Sequence, residues 1–539
     1  MYNIGEEFCN RVTGKAIEDD IGVTGNPLLP VTPKSIYSID VTGNRCNSMC
    51  ARADDNLPVT IKQGQSGGEQ LILRPWQEVT IETLRSGRDV QAIAPTSSGK
   101  SFPAYIIAKH KHERGPGIVL GIMPLKALIT DQEKHCRKFG LHTAVWNGDV
   151  SDDEKAQIAD KIDAEKLDIL LTTAESLECQ SFQELLCGRV FLAWVDESHT
   201  ATSKRHFRVS WGRIGQILDR IRPVVRYACT ATLPLGQQQE LIIRCGLLDP
   251  HIIRQSPTRA NLIFEHIERS ETDLARLLRI HVRQKIIIYS ATVRSVECLA
   301  ARFRCAGYQI SAYHGRLNRA KRQESQTAFT SGRQPIIVAT DSFGEGVNIP
   351  DIRAIICFDP FESIDAFTQA AGRAGRDGQP STIYICSQGS HLGWDARDFL
   401  INTSFPPNRS IEQVHIHLSR AGRNGILCSQ TGIAQAAGVP NAKYFASAIF
   451  RWLIRQQLVQ HLREGREFRY FGVGRFGAVN WQPLLHDRDG ALRRFEQLRH
   501  LWSLPAEQFP SEIENYFGAD PGLGGALSAT PRSAIGDIL

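Results

Sequence analysis

The sequence predicts an α/β protein with two consecutive parallel-sheet domains, a winged-helix-like α/β module and a helical tail. From about residue 70 to about residue 390, short runs rich in Val, Ile and Leu recur, and each is followed by a polar turn and a longer amphipathic stretch. Buried runs that alternate with helical segments are typical of βαβ units and parallel sheets. Beyond about residue 390 this alternation stops, and a pattern of helix, turn and helix follows.

Ten apolar runs are the predicted strands of the two sheets. Five lie in the first domain, which we place at residues 69–256: Val90–Ala94, Ile118–Met123, Asp168–Thr172, Val190–Val195 and Val225–Cys229. Five lie in the second domain, which we place at residues 257–392: Lys285–Tyr289, Ile310–Tyr313, Pro335–Ala339, Ala354–Phe358 and Thr382–Cys386. Nearly continuous apolar strands of this kind are characteristic of sheets that are buried on both faces.

The flanking segments do not share this pattern. Residues 1–68 are rich in Gly, Asn, Thr and Asp, and we treat them as an N-terminal extension without an assigned role. Residues 393–480 are predicted to form the winged-helix-like module, with helix, turn and helix over Gly432–Leu458 and a small wing around Phe468 and Tyr470. Residues 481–539 are predicted to form a partly disordered tail with one helix over Leu492–Leu501 and a frayed end rich in Gly, Ala and Pro.

Composition and charge exclude several classes of protein. The chain has 539 residues, a formal net charge of +6 and 13 scattered cysteines, which excludes a disulfide-dense secreted scaffold. The first residues lack the charged start and the apolar stretch of a signal peptide. The most apolar window, Gly117–Thr130, is short and is broken by Pro124 and Lys126. We therefore expect a cytoplasmic protein that does not insert into a membrane.

The sharpest motif is the run Ala94-Pro-Thr-Ser-Ser-Gly99-Lys100-Ser101. It follows a predicted strand and opens an amphipathic segment, the context in which backbone N–H groups and a helix N-terminus cradle phosphate oxygens. Lys100 suits the β- and γ-phosphates of a nucleotide, and Ser101 suits Mg²⁺. The remaining candidate phosphate-binding residues are Thr96, Ser97, Ser98 and Gly99. The motif predicts a nucleoside triphosphate site, and the alternative is a turn that contains Gly-Lys-Ser by chance.

Two adjacent carboxylates end another apolar run, about 100 residues further along the chain. They are Asp196 and Glu197, in the segment Phe191–His199. A hydrolytic site needs one acidic group to hold Mg²⁺ and one to polarise the attacking water. Asp196 suits the first role and Glu197 the second. Without a phosphate loop, an ordinary acidic turn at a strand end would be the better interpretation; together with the loop, the pair predicts hydrolysis.

The second domain carries a motif rich in Gly and Arg, Gln369-Ala-Ala-Gly372-Arg373-Ala-Gly375-Arg376-Asp377-Gly378. Two arginines three residues apart place two guanidinium groups on one face of a turn, from which they can reach charge that develops on a γ-phosphate. A turn of this kind is often only a solvated surface. Its distance from the phosphate loop and the acidic pair instead favours an arginine finger from a second domain, with Gln369, Arg373 and Arg376 as candidate catalytic residues.

These motifs, in this order, resemble the core of a superfamily 2 helicase of the DExH type, which has two tandem RecA-like domains. Within that superfamily the chain resembles the RecQ family most, over about 320 residues. The segment Leu73–Gln77 is similar to the family's adenine-reading segment. Met123–Gln132 and Thr172–Leu177 are similar to segments that touch the nucleic-acid backbone, and Thr230-Ala231-Thr232 is similar to the coupling motif. The segment Ala339–Pro350 is similar to the motif that joins strand contact to the cleft.

The resemblance implies roles for single residues. It implies Arg376 as the arginine finger and Arg373 as its support. It implies that His199 acts as a relay between the ATP cleft and the coupling motif. The residues that it adds as candidate ATP contacts are Arg74, Gln77, Gly344 and Asn348.

What the resemblance implies for the whole chain is an ATP- and Mg²⁺-dependent DNA helicase or translocase of 3′→5′ polarity, with single-stranded or forked DNA as its partner. Contacts to the nucleic-acid backbone, which are blind to sequence and sensitive to salt, are expected near Lys126, Thr173, the Tyr313-His314-Gly315 turn and Ser342. In the winged-helix-like module, duplex contacts would come from Arg455, Arg463, Arg466 and Arg469. The alternative is a helical packing domain with a solvated basic face.

Three features depart from the RecQ pattern. The family's aromatic loop is replaced by the shorter Thr200–Arg208, which leaves Phe207 and Arg208, with Trp211 close behind. Only Cys386 and Cys428 follow the arginine motif, where the family has a four-cysteine zinc module, and nothing resembles the tail domain of some relatives. Two alternatives therefore stay open. One is an RNA-directed helicase, and the other is an ATP-gated DNA-binding subunit of a repair, modification or defence complex that docks partner proteins through residues 1–68 or the tail.

Overall fold

The computed structural model describes residues 38–40, 45–46, 61–63, 69–71, 73–110, 116–203, 209–344, 349–388, 392–464, 467–473 and 481–518. Its first element is a small antiparallel sheet made of β1 (Ser38–Asp40), β2 (Arg45–Cys46), β3 (Ile61–Gln63) and β4 (Glu69–Leu71). The strands are paired in the order β2-β1-β4-β3.

A seven-stranded parallel sheet forms the first large domain. Its strands are β5 (Val90–Ile93), β6 (Ile118–Ile122), β7 (Thr143–Trp146), β8 (Ile169–Thr172), β9 (Val190–Val195), β10 (Val225–Thr230) and β11 (His251–Arg254). They are paired in the order β11-β5-β10-β9-β6-β8-β7. The helices of this domain are α1 (Pro75–Arg85), α2 (Phe102–Lys109), α3 (Lys126–Lys138), α4 (Asp152–Asp163), α5 (Gln180–Leu186), α6 (Thr200–Ser203), α7 (Val209–Gly212), α8 (Ile214–Ile221) and α9 (Gln238–Cys245).

A six-stranded parallel sheet forms the second large domain. Its strands are β12 (Leu262–Glu268), β13 (Lys285–Tyr289), β14 (Ile310–Tyr313), β15 (Ile336–Ala339), β16 (Ile352–Cys357) and β17 (Ser381–Gln388), paired in the order β12-β17-β16-β13-β15-β14. Its helices are α10 (Glu271–Ile280), α11 (Val293–Cys305), α12 (Arg319–Thr330), α13 (Ile364–Ala371) and α14 (Leu392–Ser404).

The predicted α/β class with two parallel sheets is confirmed, and all ten predicted apolar runs are strands. Within these two sheets, the sequence missed three strands, β7, β11 and β12. All three lie at the edges of their sheets. An edge strand is covered less completely than a central one, so its sequence alternates apolar and polar residues. β12, with the sequence Leu-Ile-Phe-Glu-His-Ile-Glu and only Ile267 fully buried, shows this directly.

The winged-helix-like module follows the second sheet. It consists of α15 (Asn408–Arg420), β18 (Ile426–Leu427), α16 (Gln430–Ala436), α17 (Ala442–Arg455), β19 (Val459–Glu464) and β20 (Glu467–Gly472). The three strands form an antiparallel sheet in the order β18-β20-β19. The predicted helix, turn and helix are present, and α17 buries Ile449, Trp452 and Leu453 in the module's own core.

Two helices end the described chain, and they differ from the predicted tail. α18 (Gln482–Ser503) is longer than the predicted helix, and α19 (Phe509–Phe517) occupies part of the region predicted to be frayed. Trp502 and Phe509 are buried against Phe367 of α13 in the core of the second domain. Pro505 lies between the two helices, and Pro510 lies in the first turn of α19. The prolines interrupt the helical spacing of apolar residues, so this spacing did not predict α19. Residues 519–539 lie outside the described part.

Candidate active site

The phosphate loop connects β5 to α2. Its turn requires a left-handed backbone at Ser97 (φ +63°) and Gly99 (φ +80°). The ammonium group of Lys100 donates to the carbonyl oxygens of Ala94 (3.0 Å) and Pro95 (3.1 Å), so the lysine is drawn into its own loop. Ser101 precedes α2 as its N-cap. A strand, a tight turn and a helix start therefore surround the lysine, as phosphate binding needs.

The side chain of Gln77 binds the main chain of the phosphate loop. Its side chain is fully buried, and its amide nitrogen donates to the carbonyl oxygens of Ser98 (3.2 Å) and Gly99 (2.9 Å). Its amide oxygen accepts from the backbone N–H of Arg74 (2.8 Å). The segment that the resemblance assigned to adenine thus lies beside the phosphate loop. A contact of Arg74 and Gln77 with the base itself stays a prediction.

The acidic pair lies where β9 ends. Asp196 is buried, and its Oδ1 accepts from the backbone N–H of Glu197 (3.0 Å) and from the thiol of Cys229 on β10 (3.3 Å). Burial and, to a smaller extent, the negative charge of Glu197 raise the pKa of the Asp196 carboxyl to about 6, and the charge of Lys100 opposes the rise. Lys100 and Asp196 therefore interact electrostatically across the ends of β5 and β9.

His199 connects the acidic pair to the coupling motif. Its Nδ1 lies 2.9 Å from the hydroxyl oxygen of Thr230 and 3.4 Å from Oε2 of Glu197. The hydroxyl of Thr230 in turn donates to the carbonyl oxygen of Thr232 (3.2 Å). One imidazole thus contacts both Glu197 and Thr230 at the end of β10. These contacts are compatible with the relay that the resemblance implied for His199, which stays a prediction.

Ser101 and Asp196 are the residues that could hold Mg²⁺. A carboxylate and a hydroxyl are hard oxygen ligands of the kind that Mg²⁺ prefers. The Asp196 carboxylate is buried where β9 ends, and burial and the negative charge of Glu197 raise its pKa. The hydroxyl of Ser101 is oriented by Gln132 of α3, whose amide nitrogen lies 3.2 Å away, and Tyr105 donates to the other end of the same amide. The donor set therefore fits a magnesium ion.

The arginine motif follows α13 and faces the acidic pair. Burial, together with the positive charges of Arg373 and Arg259, lowers the pKa of Arg376 to about 10, while the negative charge of Glu197 acts in the opposite direction. Arg373 lies against the backbone of Gly344, where a β-carbon would collide with the guanidinium group. The absence of a side chain at Gly344 thus leaves room for Arg373. A contact between Gly344 and ATP stays a prediction. Asn348 lies outside the described residues.

Two hydrogen bonds join the domains at this site. The hydroxyl of Thr96 in the phosphate loop donates to the carbonyl oxygen of Gly372 in the arginine motif (2.7 Å). The amide nitrogen of Gln369 donates to the hydroxyl of Thr232 in the coupling motif (3.0 Å). The three motifs that lie far apart in sequence therefore meet at one interface between the domains.

Several residues of the site carried no signal in the sequence. Arg259 and Asn261, between β11 and β12, donate hydrogen bonds to carbonyl oxygens of the arginine motif. Cys229 supports Asp196 from beneath, and Gln132 orients Ser101. No motif points to Arg259, Asn261 or Cys229, because each acts through a contact with a segment distant in sequence. Gln132 lies in the segment Met123–Gln132, which the resemblance assigned to the nucleic-acid backbone and not to the ATP site.

The predicted nucleic-acid contacts are only partly on the surface. Lys126 is exposed and pairs with Asp149 (2.6 Å). The side chain of His314 is buried and pairs with Glu297 (2.6 Å), whereas a contact of the Tyr313-His314-Gly315 turn with nucleic acid stays a prediction. Thr173 is also buried, and its hydroxyl lies 3.1 Å from that of Ser176.

Two further groups of predicted contacts have internal partners or lie outside the described part. Trp211 is fully buried in the first domain's core, while Phe207 and Arg208 lie outside the described residues. Arg455 pairs with Asp487 of α18 (3.2 Å), and Arg469 donates to the carbonyl oxygen of Asn424 (2.9 Å). The structure gives no side-chain placement for Arg463 or Arg466.

Comparison with known proteins agrees with this geometry. Residues 74–241 match the family model described as DEAD/DEAH box helicase, and residues 270–378 match the model described as Helicase conserved C-terminal domain. The ATP-dependent DNA helicase RecQ of Pasteurella multocida is 29% identical to this chain over 349 residues, which are 64% of this chain and 54% of that protein. The chain carries a RecQ-like superfamily 2 helicase core.

Other comparisons define the extent of this RecQ-like core. The ATP-dependent DNA helicase hus2/rqh1 of Schizosaccharomyces pombe is 30% identical over 318 residues, which are 56% of this chain and 24% of that protein. The chain thus spans about half, or less, of the length of these relatives. The crystal structure of the DUF1998 helicase MrfA bound to DNA matches with a TM-score of 0.51 and 18% identity, over 79% of this chain and 61% of that chain, a likeness of fold.

None of the helices that the structure describes has the length and apolar character needed to cross a membrane. Within the same described ranges, no cluster of three or more His, Cys, Asp or Glu side chains is arranged to hold a metal ion.

Proposed function

We propose that this protein is a Mg²⁺- and ATP-dependent DNA helicase or translocase of 3′→5′ polarity that acts on single-stranded or forked DNA. The observation that carries the proposal is the meeting of the phosphate loop, the acidic pair and the arginine motif at one domain interface, where Thr96 contacts Gly372 and Glu197 acts electrostatically on Arg376. The names of the RecQ relatives support the choice of DNA. The polarity rests on the RecQ resemblance alone.

Each residue of the site has a chemical role in this proposal. Lys100 leaves the two loop carbonyls and binds the β- and γ-phosphates of ATP. Ser101 and Asp196 hold Mg²⁺, which neutralises phosphate charge when it is bound. Glu197 orients the attacking water and accepts its proton, and Arg376 stabilises the charge on the transferred phosphoryl group, with Arg373 in support.

The coupling to DNA follows from the same contacts. Binding of ATP draws the two domains together, and loss of the γ-phosphate releases them. His199, Thr230, Thr232 and Gln369 form a path of hydrogen bonds from the acidic pair to the second domain. A change at the γ-phosphate can therefore alter the relative position of the surfaces that hold the strand, one of which includes the exposed Lys126.

The test is unwinding of short duplexes that carry a single-stranded tail on either the 3′ or the 5′ side. ATP-dependent separation of the substrate with the 3′ tail, absent in Lys100→Ala, is the expected result. Separation only from the 5′ tail contradicts the polarity, and separation of RNA but not DNA duplexes contradicts the choice of substrate. ATP-dependent binding to DNA without separation of any duplex contradicts the helicase activity and favours the ATP-gated subunit.

A further inference from the structure

An arginine in the connection between the two sheets binds the main chain of the arginine motif. Arg259 lies between β11 and β12, and its guanidinium group donates to the carbonyl oxygens of Gly372 (3.1 Å) and Gly375 (3.1 Å) and to that of Ala374. These carbonyls belong to the turn from which Arg373 and Arg376 project. Three carbonyl oxygens of one turn are thus gathered by a single side chain.

The chemistry of the guanidinium group explains why an arginine suits this position. The last carbonyl groups of a helix have no partner within the helix, and they carry its negative dipole end. α13 ends at Ala371, so Gly372 is its C-cap and carries one of these carbonyls, while Ala374 and Gly375 lie in the turn beyond it. A guanidinium group has several N–H donors in a fixed planar arrangement, so it can bind the carbonyl oxygens of all three residues at once. The side chain of Asn261 adds bonds to the carbonyls of Gly375 (2.8 Å) and Gln379 (2.8 Å).

The carbonyl oxygen of Gly372 is held from two sides. It accepts from Arg259 of the connection and from Thr96 of the phosphate loop. The connection itself is anchored, because Ser256 donates to Glu514 of α19 (2.6 Å), as does Thr258 (2.8 Å). A shift of the connection when the domains move therefore reaches the turn of the arginine motif directly.

The same arrangement concentrates positive charge at the domain interface. Arg259, Arg373 and Arg376 are close enough to repel one another, and Arg376 is buried. Carboxylates offset part of this repulsion, since Asp377 acts electrostatically on Arg259 and Glu197 acts on Arg376. Because Thr96 of the phosphate loop contacts Gly372 of the same turn, the cluster is placed to bind the phosphate of the proposed ATP substrate.

We propose that Arg259 is a positioning residue that fixes the turn of the arginine motif, so that Arg376 points into the cleft and its placement follows the connection between the domains. The inference rests on the proposed ATP hydrolysis and adds a residue that no motif marks. Arg259 acts through Arg376 and needs no contact with ATP. It should therefore affect the rate of hydrolysis much more than the affinity for ATP.

The experiment compares Arg259→Ala, Arg376→Ala and the double variant in steady-state ATP hydrolysis. We expect Arg259→Ala to lower kcat about 10- to 100-fold, the effect of a misplaced catalytic group, and to change KM for ATP by less than about threefold, since no ligand contact is lost. The double variant should hydrolyse ATP at the rate of Arg376→Ala, because Arg259 has no further effect once the finger is gone. Arg259→Lys, which keeps the charge and loses the planar donor array, should recover little activity.

Arg254 provides the matched control. It lies at the other end of the same connection, and its guanidinium group also donates to main-chain carbonyls, those of Leu233 (2.9 Å) and Phe517. The factor by which Arg254→Ala changes kcat should be the same in the Arg376→Ala variant as in the wild-type protein, because Arg254 does not act through Arg376. Thermal unfolding of each variant separates loss of fold from loss of position, and Arg259→Gln replaces Arg259→Ala if the latter does not fold.

Three results would overturn the inference: a wild-type kcat in Arg259→Ala, a double variant slower than Arg376→Ala by the full factor of Arg259→Ala, or equal masking of Arg254→Ala. Absence of ATP hydrolysis in the wild-type protein itself contradicts the proposed function instead. The two failures are therefore distinguishable in one set of assays.

Discussion

Thr96 and Gly372, which lie in different domains, are joined by a hydrogen bond of 2.7 Å from the threonine hydroxyl to the glycine carbonyl oxygen. The approach is so close that a β-carbon at Gly372 would lie 2.6 Å from the same hydroxyl. The backbone of Gly372 is right-handed (φ −63°), so the glycine is required for space and not for conformation. The phosphate loop and the arginine motif therefore contact each other directly, main chain against side chain.

We expect Thr96→Val to favour separation of the two domains. Valine keeps the shape of threonine and removes one hydrogen bond, which contributes about 1 kcal/mol. That loss changes the ratio of closed to open molecules about fivefold in the absence of nucleotide. Fluorescence energy transfer between one dye on each domain measures the ratio, and an unchanged transfer efficiency would show that the bond does not hold the domains together.

Gly372→Ala should separate the domains further, because the added methyl group collides with Thr96. Replacing both residues, as Thr96→Ala with Gly372→Ala, removes the hydroxyl and should restore part of the closed population. The recovery is only partial, since the carbonyl oxygen of Thr368 also lies 3.1 Å from the added carbon. Equal energy transfer in the single and double variants would contradict this direct contact.

The proposed roles of Arg376, at the transferred phosphoryl group, and of Glu197, at the attacking water, can be tested separately. Arg376→Ala should slow ATP hydrolysis by about 10³- to 10⁵-fold, the effect of removing an arginine finger. Glu197→Gln should instead trap ATP-bound protein on its DNA strand, because the water loses its proton acceptor while nucleotide binding persists. Single-turnover hydrolysis and DNA retention on a filter measure these effects. Wild-type turnover in Glu197→Gln would remove this residue from the site.

A carboxyl group in α1 should make stability depend on pH. Burial and the nearby charge of Glu82 raise the pKa of Glu78 to about 7 in the folded protein, from an ordinary value of 4.5. The folded state then holds a proton that the unfolded state releases, so this group destabilises the fold progressively from pH 4.5 to pH 7 and fully above pH 7. Glu78→Gln should therefore raise Tm at pH 8 and leave it unchanged at pH 4.5.

Glu507→Gln is the control for that measurement. Glu507 is exposed, so its replacement should change Tm little at either pH. A gain in Tm for Glu78→Gln that is the same at both pH values would mean that the amide improves packing or helix formation, and that ionisation of Glu78 is not the cause.

The C-terminal helix α19 should stabilise the second domain. Phe509 is fully buried and packs on Phe264, Phe367 and Trp502. Phe509→Ala should lower the free energy of unfolding by about 3–5 kcal/mol, the usual loss for a buried phenylalanine. Leu485→Ala, at a position that is 40% exposed, should have a much smaller effect. Equal, small losses in the two variants would show that α19 is detached in solution.

The parts of the molecule that could be predicted from sequence are those with a local pattern. Central strands such as Val190–Val195 are apolar throughout, and the phosphate loop around Lys100 is contiguous, so each is recognisable without its neighbours. The edge strand β12 was missed because its exposed face carries polar residues. The sequence also gives no sign that His314 pairs with Glu297, because the two residues lie on different elements.

The contacts that shape the site could not be predicted, because they join segments far apart in the chain. The sequence does not indicate a role for Arg259, because its contacts are with the carbonyl oxygens of Gly372 and Gly375, more than a hundred residues away. α19 was not predicted, because Pro505 and Pro510 interrupt the helical pattern and because its partner Phe367 precedes it by more than a hundred residues. Local sequence thus predicts the candidate reacting groups, and the tertiary structure shows the contacts around them.

The most direct test of the central claim is steady-state ATP hydrolysis by the purified protein without nucleic acid, with single-stranded DNA and with single-stranded RNA, using Lys100→Ala as the blank. We predict that single-stranded DNA strongly stimulates hydrolysis, that RNA does so much less, and that Lys100→Ala is inactive in every case. Turnover by Lys100→Ala at the wild-type rate would contradict the site, and hydrolysis that ignores DNA would contradict a DNA-driven motor.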